Sequence, residues 1–276
     1  PLSRTSHSSL IGWPVAWSGI RAAAAALVTF GVALSLGRWR LPPRDLARVA
    51  VLSLFGVILN QVLFITGLKH TTATQSALVN TAIPVATLAI GALLGQEPLA
   101  GRKILGILLA LSGVAWLLLP RATGEAPHWM GNALCFANSI SFALFLVLSR
   151  RFLKTRDALA ATAWLFVFGA IGINLLAFPL WRELPFREVT PRVWAHAAMI
   201  VLFATVVTFF LNNWALRRAE ASTVALYIYL QPLVAAASSA AWLGERPGWA
   251  LAGPAAFIFA GVALGTLGRR TVRSSG

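Results

Sequence analysis

In a chain that is 58% hydrophobic, a small set of polar side chains interrupts long apolar runs. They are Asn60 and Gln61, then Gln75, Ser76 and Asn80, then Asn138, Ser139 and Ser141, then Thr208, Asn212 and Asn213, and finally Tyr227, Tyr229 and Gln231. Amides, hydroxyls and phenols offer donors and acceptors without a fixed charge, which suits a neutral polar or zwitterionic small molecule. Left unpaired in an apolar medium, each amide would be costly, so these groups must face a cavity or a neighbouring helix. Asn60, Gln61, Gln75, Asn80, Asn138, Ser141, Asn212, Tyr227, Tyr229 and Gln231 are therefore the candidates for contact with a small molecule, and helix-to-helix bonding is the competing role for each.

Other chemistries lack their residues. The histidines, His7, His70, His128 and His196, are widely separated and have no metal-ligand spacing. One cysteine, Cys135, forms no internal disulfide. None of the eight acidic residues lies deep in an apolar run, and no activated nucleophile or His/Asp/Glu constellation stands out. The expectation is a protein that is not an enzyme, with no cofactor and no metal. A net charge of +15 raises nucleic-acid binding, but Lys and Arg sit in short clusters between apolar runs and not along one surface. No nucleic-acid partner is expected; the expected partners are a lipid bilayer and a small molecule, and a monomer and a homodimer fit equally.

The elements that must position these side chains are membrane spans. Only 11% of the 276 residues are charged, against about 25% in soluble domains, and the mean hydropathy is +0.76. Crossing a bilayer takes about 20 mostly apolar residues. Nine such stretches lie near 13–36, 47–68, 73–95, 103–120, 129–149, 158–181, 194–215, 222–243 and 249–268. Segments such as Ile104–Leu119 are apolar all round, unlike the amphipathic helices of a soluble protein. The fold class expected is an all-α polytopic membrane protein with nine transmembrane helices.

Residues 67–121 repeat at 215–269 with a constant shift of 148 and no gap. Pro84 meets Pro232, Glu97 meets Glu245, Gly113 meets Gly261, Val114 meets Val262 and Arg121 meets Arg269. The shift equals five spans, and an odd number makes the second copy enter the membrane from the opposite side, as in inverted-topology repeats. The fifth span then has no partner ahead of Pro1. The expectation is a ten-helix, five-plus-five arrangement whose first helix is missing from this chain, with residues 1–121 as the first repeat and 122–276 as the second. Pro84 and Pro232 each remove an amide donor in mid-span, and the matched pair is a candidate for two hinges.

Alternate loops divide the basic residues unevenly. Arg38–Arg48, Arg102 and Lys103, Arg150–Arg156, Arg217 and Arg218, and Arg269–Arg273 put fifteen on one side. The other side receives seven, and Arg21 lies inside the first span. By the positive-inside rule the C-terminus is cytoplasmic.

These patterns resemble the EamA-type group of the drug/metabolite transporter superfamily. The resemblance rests on Leu63–Thr74 (LFITGLKHTTAT), Ala77–Pro84 (ALVNTAIP), Leu94–Pro98 (LGQEP) and Gly106 with Ser112-Gly113-Val114. The second copy repeats it in Asn213–Ser222, Gln231-Pro232, Gly244-Glu245 and Gly261-Val262. What the resemblance implies is two inverted five-helix halves around a central cavity, and export of an amino acid, aromatic ones included, or a related metabolite across a bacterial inner membrane. The same resemblance leaves open an importer or a nucleotide-sugar or sugar-phosphate exchanger of that fold. Arg21 matches the family's usual arginine. As an intramembrane charge it is a functional candidate in its own right, with snorkelling to the interface as the alternative. Trp17, Trp164 and Trp214 are candidates for an apolar wall, although tryptophan also gathers at membrane interfaces. Glu97 and Glu245, each just before the next helix, read first as helix caps and second as a gate or proton relay.

Overall fold

The computed structural model describes residues 6–122, 129–183, 190–235, 237 and 251–266. Glu245 and the Arg269–Arg273 cluster lie outside the described residues. The described chain forms nine helices: α1 Ser6–Ser35, α2 Pro43–Lys69, α3 Ala73–Leu93, α4 Gly101–Ala122, α5 Trp129–Leu153, α6 Ala158–Ala177, α7 Pro191–Leu216, α8 Ala221–Ala235 and α9 Ala252–Thr266. Seven are long and apolar enough to cross a membrane, and α8 and α9 are shorter apolar helices. Leu27, Leu93, Trp129, Leu175 and Phe178 are each more than 70% exposed, a surface suited to lipid and not to water. The chain is an all-α, multi-pass membrane protein.

Local chemistry explains the helix ends. Pro43 and Pro191 open α2 and α7, where a missing amide costs nothing. Asp157 Oδ1 accepts the amides of Leu159 and Ala160 and starts α6. Thr72 does the same for α3 by accepting the Gln75 amide at 3.2 Å. Gly37 and Gly95, with φ of 64° and 63°, close α1 and α3 in the left-handed conformation. The span expected at 158–181 leaves the α-helix after Ala177 and continues as a 3-10 turn over Phe178–Glu183, where Pro179 has no amide to donate to the preceding turn.

The helices alternate in direction. Contacts 60–138, 67–131 and 56–145 run α2 against α5. Contacts 53–165, 57–169 and 58–172 run α2 along α6, and 76–135 and 80–139 run α3 along α5. The two most extensive packings, α1 with α6 and α4 with α9, are antiparallel.

The α4–α9 contact is a glycine seam. A Cβ on Gly106 would lie 2.7 Å from the Gly261 carbonyl oxygen, and one on Gly261 would lie 2.4 Å from the Ala110 nitrogen. One on Gly113 would meet the Pro254 carbonyl at 2.8 Å. The contact of Gly113 with Pro254 and that of Gly261 with Gly106 are the same contact under the shift of 148 residues.

Helix irregularities follow that spacing too. The backbone of α2 widens into π-geometry over Leu54–Leu59 and that of α7 over Ile200–Val207. The α-geometry of α3 breaks at Thr81, three residues before Pro84, and α8 tightens to 3-10 over Tyr227–Leu230, just before Pro232. Each proline lacks the amide that its preceding turn needs.

Candidate functional site

Six polar side chains on four helices form three hydrogen-bonded pairs at one depth. Arg21 on α1 donates from Nη2 to Gln61 Oε1 on α2. Beside it, Asn60 Nδ2 donates to Asn138 Oδ1 on α5 at 2.9 Å. The next residue on α5, Ser139, donates to Asn80 Oδ1 on α3 at 3.2 Å. Asn60 lies nine residues before Lys69, Asn138 nine after Trp129 and Asn80 seven after Ala73, where these spans begin or end on one face, and Arg21 joins that level through its bond to Gln61. At about 1.5 Å per residue, that is about 10–14 Å into the membrane. Arg21, Asn60, Gln61 and Asn80 are half-buried, while Asn138 and Ser139 are buried. The layer is continued by Thr81, whose carbonyl accepts the Tyr229 phenol of α8 at 3.0 Å.

Other candidates lie elsewhere. Gln75 is buried in the first turn of α3, where its Oε1 accepts from Asn132 Nδ2 at 3.0 Å. Ser141 donates to the Phe55 carbonyl at 2.9 Å, a helix-to-helix bond. Thr208 turns back onto the Phe203 carbonyl. Asn213 is buried and donates to Thr162 Oγ1 at 2.8 Å, and half-buried Asn212 neighbours it. Tyr227 and Gln231 are exposed, Pro84 is buried and Pro232 half-buried. Among the tryptophans, Trp17 stacks edge-on with Trp194, Trp164 donates to the Trp39 carbonyl and Trp214 lies 3.9 Å beneath Arg218.

Glu97 caps a different helix from the one that follows it. Its Oε1 accepts the amide of Ser222, in the first turn of α8, at 3.3 Å, and its Oε2 accepts the Ser222 hydroxyl. Lys103 Nζ bridges Glu97 at 3.0 Å and Glu220, and Arg150 donates to the carbonyls of Gln96 and Ala219 at 3.1 and 3.0 Å. All four charged side chains are largely buried. This network ties the loops after α3 and α7 to the first turn of α4 and the last turn of α5 on one face. On the same face, Arg38 pairs with Asp157, and Arg156 with Asp45 at 2.5 Å. It is the face to which the sequence assigns its basic clusters. Under the shift of 148, Lys103 corresponds to Leu251 and Glu220 to Thr72, so the opposite face has no equivalent of those charges at these positions.

Sequence reasoning missed Asn174, which donates to the Gly19 carbonyl at 3.1 Å, and Asn132 with Thr71, bonded at 2.6 Å. An amide in the apolar run 158–181 was a usable signal for Asn174. Asn132 and Thr71 stand at span ends, where polar residues are ordinary.

A many-spanned helical membrane protein with a level polar layer that includes an intramembrane arginine is the class defined by fold and site. The chain belongs to the EamA-like transporter family, whose sequence profile matches residues 12–119 and 129–267. It is 26% identical to the Uncharacterized transporter YyaM of Bacillus subtilis over 67% of this chain and 61% of the relative. The chain thus spans about three fifths of that protein's length. It is 27% identical to the "Probable terminal-alkyne amino-acid exporter" of Streptantibioticus cattleyicolor over 96% of this chain and 90% of the relative. A solved crystal structure superposes with a TM-score of 0.76 at 22% identity, covering 92% of this chain and 87% of the other, which is a likeness of fold. The family and these relatives are transporters by name and not enzymes.

Proposed function

We propose that this protein is a secondary transporter that exports a small metabolite, an amino acid or a related compound with aromatic ones included, across the bacterial inner membrane by alternating access. The observation that carries the reading is the polar layer: Arg21, Gln61, Asn60, Asn138, Ser139 and Asn80 stand at one depth on four helices. Hydrogen-bonding groups gathered near mid-membrane suit a solute that must leave water on one side and regain it on the other. The near full-length similarity to an exporter named for an amino acid favours that substrate class.

The proposal includes the architecture. Residues 1–121 and 122–276 act as two inverted repeats, Pro84 and Pro232 bend as a matched pair, and the basic face with the C-terminus is cytoplasmic. The antiparallel packing of α4 on α9 and the self-matched contacts at the glycine seam support it. On this reading the Glu97–Lys103–Glu220–Arg150 network closes the cytoplasmic end.

Proteoliposomes test the function. A labelled amino acid loaded inside or outside should cross only when the protein is present, and unlabelled amino acids should compete. If sugars or nucleosides are carried while every amino acid neither moves nor competes, the substrate class is wrong.

A further inference from the structure

We propose that Arg21, steadied by Gln61, receives a carboxylate of the carried solute, so that the substrate class is a free monocarboxylate such as an unesterified amino acid. The inference rests on the transport reading given above and narrows it.

Arg21 is a cation fifteen residues inside α1, level with Gln61 of α2. Among the described residues its hydrogen-bond partner is the neutral Gln61 carbonyl oxygen, and none of the ion pairs involves it. The other buried cations of this protein are treated differently: Lys103 sits between Glu97 and Glu220, and Arg150 faces Glu97 at 4.0 Å. A charged side chain at membrane depth is costly unless it is paired or faces water, so a guanidinium lacking a protein carboxylate points to an anion from outside the chain. Its five N–H donors in a planar fork match a carboxylate bidentately, and the single bond to Gln61 leaves most of that fork for a ligand. The side chain is half-buried and therefore reachable. The neighbouring pairs Asn60–Asn138 and Ser139–Asn80 put the amide oxygens of Asn60 and Asn80 at the same depth, where the ammonium group of a zwitterion finds acceptors. An inorganic anion or a lipid headgroup would satisfy the same fork, and the test separates these sources.

The experiment uses the purified full chain and three matched panels: the free amino acids, their carboxamides and their decarboxylated amines. Thermal stabilisation in detergent and competition in proteoliposomes are the readouts. The expected result is that at least one free acid binds at least about tenfold more tightly than its amide and amine, as loss of a charge-assisted bond demands. Arg21→Gln should weaken the acid by a similar factor and leave the amide unchanged, and Arg21→Lys should recover part of the loss. Equal binding of acid and amide by the wild type overturns the inference and leaves the exporter reading standing. So does Arg21→Gln binding the acid within about twofold of wild type. Full stabilisation by chloride, phosphate or anionic lipid, with no competition from any free acid, assigns the fork to those anions and overturns it as well. Transport of neutral sugars or nucleosides alone, or binding of no panel member, overturns both readings. The comparison of acid with amide is made on the wild type, so it decides the matter even if a variant fails to fold.

Discussion

The phenol of Tyr229 donates to the main-chain carbonyl of Thr81 at 3.0 Å, and the two residues stand 148 positions apart. That separation is the shift that superposes the matched halves of the sequence, so each residue occupies the other's place. The bond joins the two proline-associated irregularities of α3 and α8 at one point. Tyr229→Phe leaves the Thr81 carbonyl without this partner in a buried setting. The expected loss is about 1–3 kcal/mol of stability, read as a lower midpoint of thermal unfolding in detergent, with transport reduced in parallel.

Backbone contact at the seam makes a sharper forecast. Gly261→Ala puts a methyl 2.4 Å from the Ala110 nitrogen and 2.6 Å from the Gly106 carbonyl oxygen. Neither atom can rotate away, so the helices must separate at a cost of about 1–3 kcal/mol or more. Gly31→Ala, where nothing lies within 4 Å, should keep or slightly raise the unfolding midpoint. Equal midpoints for the two variants would contradict the close approach.

The charged network should fail asymmetrically. Arg150→Ala strips a donor from two half-buried main-chain carbonyls and a counter-charge from the buried Glu97. A loss of about 3–5 kcal/mol is expected for removing one partner of a buried pair. Arg48→Ala, whose side chain is 69% exposed beside Asp45, should stay within about 1 kcal/mol of wild type. Denaturation midpoints of the two variants provide the comparison.

Acid should weaken the loop between α5 and α6. Burial alone would raise the Asp157 carboxyl pKa, but the hydrogen bond from Arg38, the amides of Ala160 and Leu159 and the Arg38 charge outweigh it and hold the value below the usual 3.8. A depressed folded-state value means stability that is fully present above the unfolded pKa and lost as pH falls through the folded one. Wild type should therefore exceed Asp157→Asn in stability above about pH 4, with the gap closing as the pH drops below it. A gap that stays constant down to pH 2.5 would show that the carboxylate is not held in this way.

Asn80→Ala and Gln231→Ala separate the polar layer from the exposed candidates. Asn80 accepts from Ser139 within the layer, whereas Gln231 is exposed at the proline of α8. Both substitutions should reduce transport at least severalfold while leaving membrane insertion and the unfolding midpoint near wild type. Unchanged kinetics in either variant would remove that residue from the site.

Much of this fold was legible in the sequence because a bilayer imposes length, apolarity and charge placement on each span. Pro84 and Pro232 announced the irregular turns of α3 and α8, and Gly113 with Gly261 announced the repeat. The depth of Asn60, Asn138 and Asn80 can also be counted from the span ends. The rotation of each helix was not legible, so the pairing of Arg21 with Gln61 and of Asn60 with Asn138 emerged only from the folded chain. Glu97 shows the limit most clearly. Its position before α4 suggested a cap on that helix, but Gly95 turns the chain so that the carboxylate reaches α8, 125 residues away.

The missing methyl groups along Gly106, Gly113 and Gly261 leave α4 and α9 touching main chain to main chain. A lengthwise slip would carry residues with side chains into contacts that only glycine allows, and separation would exchange close main-chain packing for looser contact with lipid tails. On the transport reading proposed above, α4 and α9 should therefore travel as one body in any rearrangement of the other helices.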